Sequence, residues 1–265
     1  MNTTALAVGA IHRIERPEST ALAIREFQQT SLLLTDLDDP DWVQPTDCPE
    51  WDVRAVAGHI LGMAQTFSSL RQFLSYMPAA TYGARGGGDV TDSLTALQVK
   101  RNACLDRSTL IAQIGITGPA AAHWRASRRL MRRIPLKQPM PNGTVETWHM
   151  GYLLDIILVR DPWMHRVDIS RAVDRPMVLT ADHDGRIVAD VVAEWAGRHG
   201  QPFTLRLTGP AGGVYVQGSD GQGSDIGGDV EGDPGPDLEM DAVEFCRVLS
   251  GRAPGDGLLV EFVPF

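Results

Sequence analysis

Apolar residues recur at spacings of three and four through the first two-thirds of the chain, the mark of helices with one buried face. Residues 19–34 (STALAIREFQQTSLLL) carry a first such pattern, followed by a polar connection rich in Asp and Pro (DLDDPDWVQPTDCPE). A second helix is expected from near Pro49, since proline suits a first helical turn. Along it Val56, His59, Ile60, Met63, Phe67, Leu70 and Leu74 form one stripe. After a Gly-rich loop (YGARGGGDV), a third helix is expected over 92–114, and PAAAHWRASRRLMRRI reads as a further helix, basic on one side. PLKQPMPNGTVE reads as a loop turning at Asn142-Gly143, and a long helical pattern then covers 147–173. Pro162 lies inside that pattern and should kink or break it, because it removes a backbone donor.

The character changes after Asp174-Arg175-Pro176. A helix is expected over 182–198, then two short strands (FTLRLTG and GGVYVQG) and a Gly- and Asp-rich loop (SDGQGSDIGGDVEGDPGPD). A short helix capped by Asp241 follows, with Glu244 three residues on as in a capping box, and LLVEFV reads as a last strand. The expected fold class is α plus α+β: a helical domain over 1–178 and a small mixed domain over 179–265.

Composition narrows the function. The chain has 265 residues, 43% hydrophobic and 22% charged, which describes an ordinary globular protein. The net charge of −9 argues against sequence-independent binding to nucleic acid or an anionic membrane. The basic run RRLMRR (Arg128 to Arg133) reads as a solvated face. No signal peptide is expected at the N-terminus, and no segment approaches a membrane span. Cys48, Cys104 and Cys246 are widely spaced, with no CxxC, so a reduced cytoplasmic protein without disulfides or a thiolate zinc site is expected. None of the three is expected beside the helical motifs as a nucleophile.

His59 on its stripe, and Asp161 with His165 four residues later, carry the candidate chemistry. Helical residues at i and i+4 point the same way, about 40° apart around the axis. Two facing helices could therefore hold a divalent metal through two imidazoles and a carboxylate, as helix bundles do. Three protein ligands leave a fourth position open, the pattern of a catalytic zinc site. Taken singly, a histidine on an apolar stripe is more often a hydrogen-bonded core residue, and Asp/His pairs at i,i+4 are ordinary. Asp168 either orients a ligand from behind or, the plainer expectation, joins Arg171 in local surface or interdomain salt bridges. His149, with Glu146 three residues before it, lies too many turns from His165 to share a compact site on a continuous helix. His123 stands among basic residues without an assigned role.

WDVRAVAGHILG and RDPWMHRVDISRAV together resemble the mycothiol-dependent maleylpyruvate isomerase family of the DinB-like superfamily. DWVQPTDCPE is similar to the family's entry to its second helix, and SGRAPGDGLLV to its C-terminal sterol-carrier-like domain. The resemblance implies a DinB-like four-helix bundle followed by a small mixed α/β domain, with one divalent metal, most often Zn2+, on His59, Asp161 and His165. Asp161 falls where the family commonly has Glu, one methylene longer. The resemblance also implies mycothiol, the actinobacterial thiol, as cosubstrate, and an arginine of the C-terminal domain in the site, for which Arg252 is the match. The implied enzyme adds a metal-activated thiolate to a small electrophile, in cis–trans isomerisation or in S-transfer. Two alternatives remain open on the residues alone: a non-enzymatic small-molecule-binding module, and a metal-dependent hydrolase.

Overall fold

The computed structural model describes residues 4–218 and 237–265, and the chain divides into two compact units. One unit is Glu15–Met177; the other joins Met1–Ile14 to Val178–Phe265. The sequence assigns the first fourteen residues to the helical domain. The structure instead pairs a short strand β1 (Leu6–Ala7) in parallel with a C-terminal strand. Two residues are too short to show an alternating pattern, so nothing in the sequence marks them as a strand.

The helical unit is built from α1 (Arg16–Thr35), α2 (Val53–Thr66), α3 (Leu70–Gly83), α4 (Val90–Asn102), α5 (Arg107–Ser127), α6 (Met150–Tyr152) and α7 (Leu158–Ala172). Four of them, α1, α2, α5 and α7, pack around a common core, while α3 and α4 lie against the other side of α2. The core holds Phe27, Leu34, Trp42, Val56, Ile60, Leu110, Ile114 and Ile169. Burial of such side chains stabilises by ~1.5–3 kcal/mol each before entropy is counted. Small residues set the close approaches. A Cβ on Gly118 would fall within the Phe27 ring, so α1 and α5 meet there with no room for a methyl. Gly118→Ala should cost ~1–3 kcal/mol, as overpacked cores do, and a thermal melt unchanged from wild type would refute that packing.

Several boundaries differ from the sequence reading, each for a local reason. α2 starts at Val53 rather than near Pro49, because Asp52 accepts a hydrogen bond from the Ala55 N–H at 2.8 Å and caps the helix. Its stripe does not run on to Leu74. Ser69 caps a new helix, α3, and Leu70 and Leu74 are exposed. The helix expected over 92–114 is two, separated before Asp106, which caps α5 through the Thr109 N–H at 2.8 Å. The segment read as a loop after residue 134 is a hairpin of β2 (Pro135–Pro139) and β3 (Val145–His149), turning at Gly143 with φ 82. The long helix is interrupted but not broken. A π-helical turn, Leu153–Ile157, precedes α7, and the helix continues through Pro162. Leu158 supplies the carbonyl four residues back that a proline ring strikes, and its ψ of 11° departs from helical values there.

In the second unit, α8 (Asp184–His199) and α9 (Ala242–Leu249) accompany a four-stranded sheet in the order β1-β5-β4-β6. β4 (Phe203–Thr208) and β5 (Gly213–Gln217) are the two expected strands, paired antiparallel. β6 (Asp237–Asp241) runs parallel to β4, and Asp241 caps α9 as expected. LLVEFV is not a strand: Gly257–Val260 is a 3-10 turn, and β6 holds the place beside β4. The Gly- and Asp-rich segment lies outside the described residues, apart from Asp237, the first residue of β6. Together the bundle and the small mixed sheet are the expected fold class.

Candidate metal centre

α2 and α7 bring His59, Asp161 and His165 together inside the bundle. Asp161 Oδ1 lies 3.5 Å from His59 Nε2 and 3.5 Å from His165 Nε2. The imidazole rings meet edge to face with centroids 4.9 Å apart. Both histidines are buried, and the Asp161 side chain is 14% exposed. Trp51 packs over the His59 ring at 4.9 Å and lies 6.0 Å from that of His165.

The donors fit a divalent metal. A tetrahedral ion with bonds of ~2.0–2.1 Å requires donor–donor separations of about 3.3 Å, close to the spacing here. His59 Nδ1 and Asp161 Oδ2 are buried without a hydrogen-bond partner. The shorter carboxylate of Asp thus reaches both imidazoles without the extra methylene of Glu.

Asp168 stands behind His165. It is fully buried, and its Oδ2 lies 2.9 Å from His165 Nδ1. That contact leaves Nε2 directed to Asp161, the carboxylate–histidine arrangement that orients metal ligands. The plainer reading of Asp168 as a surface salt-bridge partner is therefore corrected; only Arg171 behaves that way, pairing with Asp47 at 3.1 Å. Asp168→Asn should keep the fold and lower metal affinity by ~10–100-fold, read by competition with a chromogenic chelator. An unchanged affinity would count against the orienting role.

Cys48, not expected beside the motifs as a nucleophile, does lie close to them. Cys48 Sγ is 4.0 Å from His165 Nδ1 and 3.5 Å from Asp168 Oδ2. The chain before α2 folds back on itself: Thr46 donates to the Trp51 carbonyl at 2.8 Å, and the Trp51 N–H donates to that of Cys48 at 2.9 Å. This turn carries Cys48 and Trp51 to the centre together. The TDCPEWD stretch was the only signal, and its spacing alone does not show a turn.

Electrostatics bind the cluster. Burial alone would raise the Asp161 pKa, but the neighbouring His59 and His165 hold its carboxyl far below the usual range. Burial would lower His165, yet Asp161 beside it, with the hydrogen bonds of Asp168 and Cys48, pushes it well above the ordinary histidine value.

The other candidates lie elsewhere. His149 is exposed at the end of β3, and Trp148 Nε1 donates to Glu146 at 2.7 Å. His123 is exposed on α5. In the RRLMRR run, Arg132 makes a two-pronged bond to Asp155 while Arg129 is exposed. Arg252 belongs to the other unit, just after α9, where its N–H donates to the Arg247 carbonyl at 2.9 Å. No described helix is long and apolar enough to cross a membrane.

No curated protein matches the chain in sequence. Two solved structures are similar in fold, one of the mycothiol-dependent maleylpyruvate isomerase and one of its histidine-to-alanine mutant. They are 17% and 16% identical to this chain, with a TM-score of 0.50 in each case, and each alignment covers 90% of both chains. Residues 24–170 match the sequence profile of the mycothiol maleylpyruvate isomerase N-terminal domain. That span exceeds half of the 265 residues and contains all three metal-ligand candidates, so the chain belongs to the mycothiol maleylpyruvate isomerase N-terminal domain family.

Proposed function

We propose that this protein is a metal- and mycothiol-dependent enzyme in which a thiolate attacks a small electrophile. The observation that carries the reading is the convergence of His59 Nε2, Asp161 Oδ1 and His165 Nε2 in a buried pocket of donors, with Asp168 fixing one imidazole from behind. His59, Asp161 and His165 would hold the ion, Zn2+ being the first choice for two imidazoles and a carboxylate. A divalent cation at such a position would hold a thiol as thiolate at neutral pH.

The chain's own residues do the rest. Asp168 keeps His165 Nδ1 protonated, so that Nε2 is the donor. Trp51 shields the His59 ring from water. In the reaction, the thiol sulfur adds to an activated double bond of the substrate, forming a C–S bond. The π pair moves onto the activating carbonyl as an enolate. Rotation about the resulting single bond, return of the pair and departure of the thiolate complete a cis–trans isomerisation, whereas protonation of the enolate with the C–S bond kept makes the reaction an S-transfer. Maleylpyruvate, the substrate named for the similar structures, is the first electrophile to test. Arg252 has the role implied by the resemblance, a guanidinium for the thiol or substrate carboxylate. A cytoplasmic setting follows from the thiol, which is an intracellular reductant.

The experiment is turnover of maleylpyruvate by zinc-loaded protein with and without mycothiol. Thiol-dependent conversion is expected. Turnover without thiol would replace this reading with a hydrolase. Absence of turnover together with absence of thiol binding would leave a binding module.

A further inference from the structure

The last turn of α5 holds an arginine that the metal centre does not explain. Arg125 is only 2% exposed. Among the described residues its guanidinium has neither a hydrogen bond nor an ion pair. The acidic group nearest in influence, Asp155, is already committed: it accepts from Arg132 Nε at 3.0 Å and from Arg132 Nη2 at 2.6 Å. Arg132 also donates Nη1 to the Arg125 main-chain carbonyl at 2.6 Å, and its positive charge acts against that of Arg125. Asp161 acts on Arg125 as well, so the guanidinium lies within electrostatic reach of the metal donors, while Asp161 Oδ1 faces His59 and His165.

A buried charge without a partner is destabilising, and a well-packed apolar side chain of similar volume commonly does better in its place. The fold therefore gains nothing from this guanidinium. The surroundings sharpen the point. Trp124 and Met131, near Arg125 in the chain, join Phe67, Met150, Leu154 and Leu158 in an apolar cluster. In such low-dielectric surroundings an incoming anion meets a strong, weakly screened attraction. Burial pushes Arg125 down to about 10, which leaves it fully charged at neutral pH.

We propose that Arg125 is a substrate-binding residue, receiving a carboxylate of the small electrophile and setting the site's preference for anionic substrates. The planar fork of arginine suits a carboxylate held through two parallel hydrogen bonds. The proposal rests on the reading that the site acts on a small electrophile, but its test needs neither thiol nor turnover.

Maleate, a compact dicarboxylate, is titrated calorimetrically into the full-length zinc-loaded protein: wild type, Arg125→Met and Arg125→Lys. Zinc content and thermal melts are recorded on the same samples. Arg125→Met should bind maleate about 10–100-fold more weakly, with zinc retained and a melting temperature equal to or above wild type. Arg125→Lys, which keeps the charge but not the fork, should fall between them. Maleate affinity undiminished in either variant, or a wild type that does not bind maleate, would overturn the proposal. A sharp fall in the melting temperature of both variants with binding intact would assign Arg125 to the scaffold instead. Failure of thiol-dependent turnover with Arg125-dependent maleate binding intact would fault the reaction and leave the anion site standing.

Discussion

His59→Ala and His165→Ala should each purify without metal and without thiol-dependent activity, while wild type carries close to one ion per chain. Removing one of three donors leaves two, and the loss should exceed the ~10–100-fold that follows removal of a partner behind a ligand. Neither substitution should unfold the bundle. Both positions are in helix interiors, where alanine is the best helix former, and the hydrophobic core around α2 does not depend on either imidazole. Circular dichroism separates loss of metal from loss of fold. Asp161 supports a finer comparison. Asp161→Ala should behave like the histidine variants. Asp161→Glu lengthens the carboxylate by a methylene and should still bind metal, with changed affinity, because Asp161 keeps one oxygen that is buried without a partner. Elemental analysis decides the matter: a stoichiometry near one in either histidine variant would remove the metal from this cluster and the thiolate mechanism with it.

The part of the site that could be read from sequence is the part built on regular helices. His59 sits on an apolar stripe, and Asp161 and His165 are four apart, so helical periodicity alone turns all three inward. The structure shows both helices and the convergence. Residues that reach the centre from irregular backbone were hidden. Cys48 and Trp51 arrive through a turn held by Thr46 and main-chain hydrogen bonds, which composition does not encode. Arg125 was lost within a basic stretch, because position along a chain does not tell a buried guanidinium from its exposed neighbour Arg129. The β2–β3 hairpin was masked by its prolines, although Asn142-Gly143 is a common hairpin turn. In the C-terminal unit, LLVEFV has the composition of a strand, but β6 fills the sheet position next to β4, and within LLVEFV only Val263 is buried, its N–H donating to the Leu249 carbonyl at 3.0 Å. Composition sets the propensity for a strand; competition for a partner decides which segment becomes one.

Metal affinity should rise steeply with pH. In the metal-free protein, burial works against charge on His165, but the carboxylate of Asp161 and the hydrogen bonds of Asp168 and Cys48 prevail and raise its pKa well above the ordinary value of about 6.5. The imidazole is then protonated at neutral pH and must release that proton before Nε2 can donate to a metal. Below the folded pKa, each pH unit should therefore strengthen binding about tenfold. Stability of the metal-free protein runs the other way. A raised histidine pKa contributes stability that is complete below the unfolded value, near 6.5, and disappears as pH rises through the folded value. Asp161, whose pKa is lowered, contributes stability above its unfolded value near 3.9 that is lost only in acid. Raising the pH from the unfolded value towards the folded one thus weakens the stabilising contribution of that proton in the empty cluster while strengthening the loaded one, since a ligand that binds only the folded state stabilises in proportion to the logarithm of its affinity. Thermal melts of chelator-treated and zinc-loaded protein should diverge across this range. Parallel melts, with a metal affinity independent of pH, would mean that no proton is held between Asp161 and Asp168.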